Sequence, residues 1–157
     1  MKLDILLKVI FFGGVMLMLF ACSDAEVSDT ATIGTEKKSS KAMATRWYDS
    51  SRVSLGKTVY EANCKSCHLQ DAKGTQDWKK TMPDGSYPPP PLNGTAHAWH
   101  HSINVLLTVI NDGGIPNGGK MPAFKNSLSQ DQKLSVIAYF QSFWTDEIYS
   151  KWEAIHK

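Results

Sequence analysis

No charge of one sign dominates this sequence: among 157 residues, 17 Lys and Arg stand against 15 Asp and Glu, a formal net charge of +2. A near-neutral chain lacks the basic field that holds a polyanion, so nucleic acid is not expected as a partner. Cysteine is scarce: Cys22, Cys64 and Cys67 are too few for a disulfide framework and leave one thiol over. Long apolar runs are missing too. Val9 through Ala21 carries no charge but falls short of the about 20 apolar residues that cross a bilayer. No segment alternates well enough to read as a strand. Ser/His/Asp triads, phosphate-binding glycine loops and paired carboxylates do not occur, so no small-molecule substrate is expected.

What the first residues do have is the order of an export signal. Met1, Lys2 and Lys8 flank a short basic start, and the apolar stretch follows it. Residues 1–21 therefore read as a signal peptide, with an uncleaved N-terminal anchor as the competing reading. Leu19-Phe20-Ala21-Cys22 resembles the lipobox of bacterial lipoproteins, which implies a lipidated Cys22 at the mature N-terminus. That also accounts for the odd thiol. Ser23 after the cysteine points to the outer membrane if the cell is Gram-negative. The expected location is outside the cytoplasm, lipid-anchored and facing the periplasm or cell exterior. Residues 22–45, rich in Ser, Thr, Ala and charge without apolar periodicity, read as a flexible tether spanning about 25 Å.

From Arg46 to Lys157 the pattern changes to one all-α domain. Leu55, Val59 and Ala62 lie three and four apart, which predicts a helix from Ser54 towards Asn63. Ile103, Leu106, Leu107 and Ile110 make a second stripe, capped by Ser102 and stopped by Gly113-Gly114. Ser129 and Gln132 form a capping-box pattern that opens a third helix with Leu134, Ile137, Ala138, Phe140 and Phe143 as its apolar positions. Trp144, Ile148, Trp152 and Ile155 extend an amphipathic stretch almost to the C-terminus. The loops between, including Tyr87-Pro-Pro-Pro-Pro91, are long for so small a domain and need something bulky to pack against.

The chemistry concentrates in Cys64-Lys65-Ser66-Cys67-His68. Cys-x-x-Cys-His is the attachment signature of c-type haem. Two thiols separated by two residues at a helix end reach both vinyl groups on one porphyrin edge, and His68 is then held beneath the iron. A thiol–disulfide pair usually sits in a βαβ setting, which is absent here. A zinc site needs a second Cys/His pair at suitable spacing, and none follows. One covalent haem c is the expected cofactor. For the sixth ligand, Met82 and Met121 both precede proline. Met121, in the irregular loop Gly118-Gly-Lys-Met-Pro-Ala-Phe124 before the third helix, is favoured over Met82, which lies in a surface insertion. A His/Met pair leaves no open coordination position and raises the haem potential.

These residues resemble class I cytochromes c of the single-domain bacterial kind, from about Ser51 to Trp144. Gly56-Lys57-x-Val59-Tyr60, running into Cys64, is similar to that family's first helix. There the glycine allows a close crossing and the aromatic packs on the last helix. Ile137-Ala138-Tyr139-Phe140 is similar to the matching part of that last helix. Pro90-Pro91-Leu92 is similar to the loop whose proline carbonyl accepts a hydrogen bond from the proximal histidine. The resemblance implies that Pro90 supplies this carbonyl, that Leu92 packs on the ring, and that the fold is cytochrome c-like, three to five helices around one haem. Residues 74–88 and 145–157 are longer than compact members need. The implied function is single-electron transfer between redox proteins, without catalysis.

Two alternatives stay open. Without Met121 on the iron, an open site could reduce peroxide or bind a gas. His97, His100 and His101 could hold a metal, since His97 and His101 lie four apart. Against the second reading, these histidines precede a helix cap and can serve loops or haem propionates. Trp47, Trp78, Trp99 and Trp152 read as packing residues or loop anchors. Lys65, Lys120 and Lys125 would flank the haem edge and orient an acidic partner. Replacing Cys22 with Ser is expected to abolish incorporation of labelled fatty acid into the chain. Mass spectrometry of the mature N-terminus checks this.

Overall fold

The structure, a computed structural model, describes residues 45–156. The expected signal peptide, Cys22 and all of the tether except Thr45 lie outside the described residues. Within them the chain forms five α-helices: α1 (Ser50–Asn63), α2 (Lys65–His68), α3 (Ile103–Asp112), α4 (Gln130–Gln141) and α5 (Asp146–His156). Short 3-10 turns at Gln70–Ala72, His97–His100 and Ile115–Asn117 punctuate the loops, and the described residues contain no strand. No described helix is long and apolar enough to cross a membrane.

A side-chain cap starts each of the longer helices. Ser102 Oγ accepts from Val105 N at the head of α3, and Gly113 ends that helix at φ +81°. At α4 both halves of the capping box form: Gln132 N donates to Ser129 Oγ, and Ser129 N donates to Gln132 Oε1 at 2.8 Å. The first helix starts four residues earlier than its stripe predicts. Asp49 Oδ1 accepts from Arg52 N at 2.9 Å, and this cap nucleates a polar first turn that hydrophobic periodicity cannot register.

The buried face of α1 is Gly56, Val59 and Tyr60, while Leu55 and Ala62 are exposed. The shift has a simple origin. Gly56 is the contact point with α4, and a Cβ there would lie 1.9 Å from the Ser135 carbonyl oxygen. With the backbones so close, the Tyr60 and Tyr139 rings meet at 5.0 Å between centroids. Because α4 is enclosed on most sides, even Lys133, Ser135 and Gln141 are buried alongside Val136, Ile137, Ala138 and Phe140. Lys133 keeps its ammonium partnered by donating to the Lys125 carbonyl at 3.2 Å.

The expected C-terminal stretch is a separate helix, not a continuation. Trp144 sits in the break before it, and Thr145 Oγ1 caps α5 by accepting from Ile148 N. Tyr149 and Trp152 are its buried residues, whereas Ile155 is 58% exposed. The segment entering α1 clasps this helix. Arg46 bonds the Trp144 carbonyl and Asp146, lies over the Tyr149 ring at 4.0 Å, and Trp47 N donates to Tyr149 Oη. Burial pushes the Tyr48 phenol in this clasp up to about 12. Trp47 and Trp152 donate their indole N–H groups to Gln141 Oε1 and the His101 carbonyl, the anchoring role expected of them.

Adding one methyl group at Gly56 forces two helix backbones apart. Gly56→Ala is expected to cost about 2–3 kcal/mol, lowering Tm by about 10 °C. Thermal unfolding of the haem-loaded protein measures it.

Candidate haem site

The end of α1 and the four residues of α2 bring the cysteine motif together. Cys64 is shared between them: its N–H closes α1 on the Tyr60 carbonyl at 2.8 Å, and its own carbonyl accepts from Cys67 N and from His68 N at 2.9 Å. Cys67 and His68 thus follow Cys64 by three and four residues on one helical turn, and all three lie on one face. The two cysteines are free, Cys64 partly buried and Cys67 exposed. Burial, reinforced by Cys67, pushes the Cys64 thiol up to about 11. A thiol protonated at neutral pH is a poor nucleophile for disulfide exchange, which speaks against the dithiol–disulfide reading.

His68 is 8% exposed, and its Nδ1 donates to the Pro90 carbonyl at 3.0 Å. Burial holds the imidazole below its ordinary pKa despite that bond, so the neutral form prevails. With Nδ1 carrying the proton, Nε2 is the nitrogen whose lone pair is left for a metal. The proline run suits this arrangement, because Pro88 to Pro91 have no N–H groups and offer only acceptors. Pro89 takes Thr75 N at 2.8 Å, and Pro90 takes His68.

Beyond His68 the chain turns sharply through Leu69, Asp71 and Ala72, with φ of 62°, 55° and 55°. Such conformations cost about 1–3 kcal/mol each in non-glycine residues, so the surroundings must hold them. Tyr60 Oη donates to the Leu69 carbonyl at 2.8 Å, Gly74 N to the His68 carbonyl, and Leu92 N to the Ala72 carbonyl. Gly74, at φ +54°, lies against the proline run; a Cβ there would come within 2.4 Å of Pro90. Leu92 is half-buried against the core, and its carbonyl receives the Trp144 indole N–H at 2.8 Å. Tyr60 packs on the last helix as the resemblance implies, but its bond to Leu69, the fit of Gly74 against Pro90 and the Trp144 bond to Leu92 were not foreseen from the sequence. A helix aromatic, a loop glycine and a tryptophan carry no signal naming their distant partners.

Met121 is half-buried against the same core. Its carbonyl accepts from Gly114 N at 2.9 Å, and a Cβ on Gly113 would lie 2.6 Å from that oxygen. The two glycines that stop α3 therefore also let the Met121 backbone pack on the helix end. Met82 is 42% exposed, with Ser86 Oγ near its sulfur. Lys120 pairs with Asp84, so it is not a free lysine, and with the Ser86 hydroxyl it holds the Asp84 carboxyl well below the usual carboxylate range.

The histidine cluster is arranged for stacking and not for chelation. His97 to His100 form a 3-10 turn, not the α-helix that would align His97 with His101. His97 stacks on Trp78 at 4.5 Å, meets His101 edge-on at 5.3 Å, and His100 packs on Trp99. No group of three His, Cys, Asp or Glu that could hold a metal ion occurs among the described residues. An open cavity of about 620 Å³ between Asp71, Lys73, Phe143 and Ile148 includes none of the motif residues.

The donor set fits a c-type haem: two free thiols on one turn, a buried neutral imidazole with Nε2 available, and a thioether at the core's edge. Residues 51–140 match the family model described as cytochrome c oxidase, cbb3-type, subunit III. The chain belongs to this cytochrome c family. This is a family of electron-transfer domains with covalently bound c-type haem, and the all-α fold of the chain is cytochrome c-like. The chain is also similar to the cytochrome c subunit of a quinone alcohol dehydrogenase from Gluconobacter oxydans (strain 621H), 29% identical over 96 residues. That match takes in 57% of this chain but only 18% of the relative. No solved structure matches the chain.

Tyr60→Phe removes the donor that holds the Leu69 carbonyl while leaving the ring stack in place. It is expected to cost about 1–2 kcal/mol with haem attachment retained, as read by denaturant unfolding and by mass.

Proposed function

We propose that this cytochrome is a single-electron carrier whose haem would be held by bonds to Cys64 and Cys67 and by His68 Nε2 and the Met121 sulfur as ligands of the iron. The observation that carries the reading is the 3.0 Å hydrogen bond from His68 Nδ1 to Pro90, which leaves only Nε2 free and orients it. When bound, the haem supplies an iron centre that gains and loses one electron. The protein's share is to hold two ligands in place so that little rearranges between the two states. Thioether ligation by Met121 would favour the reduced form, as would an apolar setting of the kind that Leu92, Ile110 and Phe124 give the core beside Met121.

A lipid on Cys22 would hold the domain near a bacterial membrane, in the periplasm or facing the cell exterior. Tethering raises the effective concentration of its partners without new contacts. The partners proposed are membrane-associated redox proteins. The family's description names an oxidase, and the Gluconobacter relative is named as a subunit of a quinone-dependent dehydrogenase. Both names are those of subunits, which supports the reading of redox proteins as partners.

Visible spectra of purified protein test the ligand set. The oxidised form is expected to show the weak long-wavelength charge-transfer band of thioether ligation, and the reduced form to ignore carbon monoxide. Met121→Ala should abolish the band and admit carbon monoxide. Rapid carbon monoxide binding by the unaltered protein would instead favour the open-site reading.

A further inference from the structure

The loop that carries Met121 is held unevenly. Its inner end is fastened to α3: Gly114 N donates to the Met121 carbonyl, and Phe124 N to the Ile110 carbonyl at 2.9 Å. Its outer arc, Ile115 to Lys120, closes on its own base through turns, Asn117 N and Gly119 N donating to the Gly114 carbonyl and Gly118 N to that of Ile115, and Ile115 is 73% exposed. Beyond those turns, the hydrogen bonds of the arc among the described residues run to one place, the insertion between Gly74 and Pro88. Tyr87 N donates to the Gly118 carbonyl at 2.8 Å, and Asp84 pairs with Lys120. The Tyr87 ring lies against Gly118, which sits at φ +76°: a Cβ there would come a tight 3.3 Å from the ring.

The insertion is itself a built turn. Met82 N donates to the Ser86 carbonyl, Gly85 N to the Met82 carbonyl, and Asp84 Oδ1 accepts from both Ser86 N and Ser86 Oγ. Only three residues after Tyr87, Pro90 accepts the bond from His68. Between them lie two prolines, whose locked φ angles make a stiff connection. One short segment therefore touches the arc of the methionine loop at one end and the histidine at the other.

We propose that Tyr87 and Asp84 are positioning residues for Met121: they strap its loop shut against the proline run and so set how often the sixth ligand leaves the iron. This rests on the reading of Met121 as that ligand. The Asp84–Lys120 pair is exposed and contributes little alone, so the Tyr87 contact is the larger part. The strap also gives the insertion a purpose that a compact cytochrome would not need.

The test is the rate at which imidazole replaces the sixth ligand in the oxidised, haem-loaded protein. Tyr87→Ala combined with Asp84→Asn is expected to raise that rate about fivefold or more, the factor that accompanies loss of ~1 kcal/mol of loop closure. Tyr87→Phe, which keeps the ring, should stay within about twofold of the unaltered protein. An unchanged rate in the Tyr87→Ala/Asp84→Asn variant, with the thioether band intact, would overturn the strap and leave Met121 as ligand. If the unaltered protein lacks the band and Met121→Ala binds imidazole at the same rate, the ligand assignment falls and the strap with it.

Discussion

A glycine against a carbonyl is the contact on which this domain turns. At Gly56 the backbone of α1 lies on that of α4 with no side chain between them, and the Ser135 oxygen occupies the place a Cβ would take. Helices that approach this closely leave little freedom in their crossing, because neither side can yield without moving a backbone. The direction of α1 then sets where Cys64, Cys67 and His68 emerge at its far end. Tyr60 carries the constraint onward, its ring against Tyr139 on α4 and its hydroxyl on the carbonyl of Leu69, just past the histidine. Packing in the core and placement of the ligand are parts of one rigid element.

The second organising feature is the proline run. Four consecutive residues without N–H groups cannot join a helix or ladder, yet their carbonyls must still be satisfied. Thr75 and His68 do so from one side, and Leu92 immediately after the run receives Trp144 from the other. The run is thereby tied to the haem motif and to the end of α4 at once. The strained corner at Leu69, Asp71 and Ala72 persists because the same segments enclose it. Strain of this kind tends to sit beside functional groups, where a unique geometry matters more than stability.

Electrostatics plays a quieter part. The chain is nearly neutral overall, and its ion pairs lie mostly at the surface, where each contributes little. What matters is desolvation at the motif. Burial keeps the Cys64 thiol protonated and the His68 ring neutral, so the site offers a thiol and a lone pair without net charge. Such a setting suits a buried porphyrin better than thiol exchange.

Much of this was legible before any coordinates. Ser102, Gly113, Ser129 and Gln132 announce their helices because caps act within a few residues and their partners are neighbours in the chain. Asp49 escaped notice because its helix begins on a polar turn, and Ile155 misled because period alone does not tell a buried face from an exposed one. The histidines at 97 and 101 suggested a metal only on the assumption of α-helical spacing, and a 3-10 turn removed it. Cys64, Cys67 and His68, three and four residues apart, share a face in an α-helical turn, so their joint chemistry belongs to the sequence alone. The resemblance already pointed to the His68–Pro90 bond and to a close crossing at Gly56, but that the Ser135 carbonyl is what Gly56 meets, that Tyr60 reaches the Leu69 carbonyl, and that Tyr87 lies over Gly118 were decided only by the fold. Short-range spacing is set by backbone geometry that every chain shares, whereas those meetings depend on how the whole core closes.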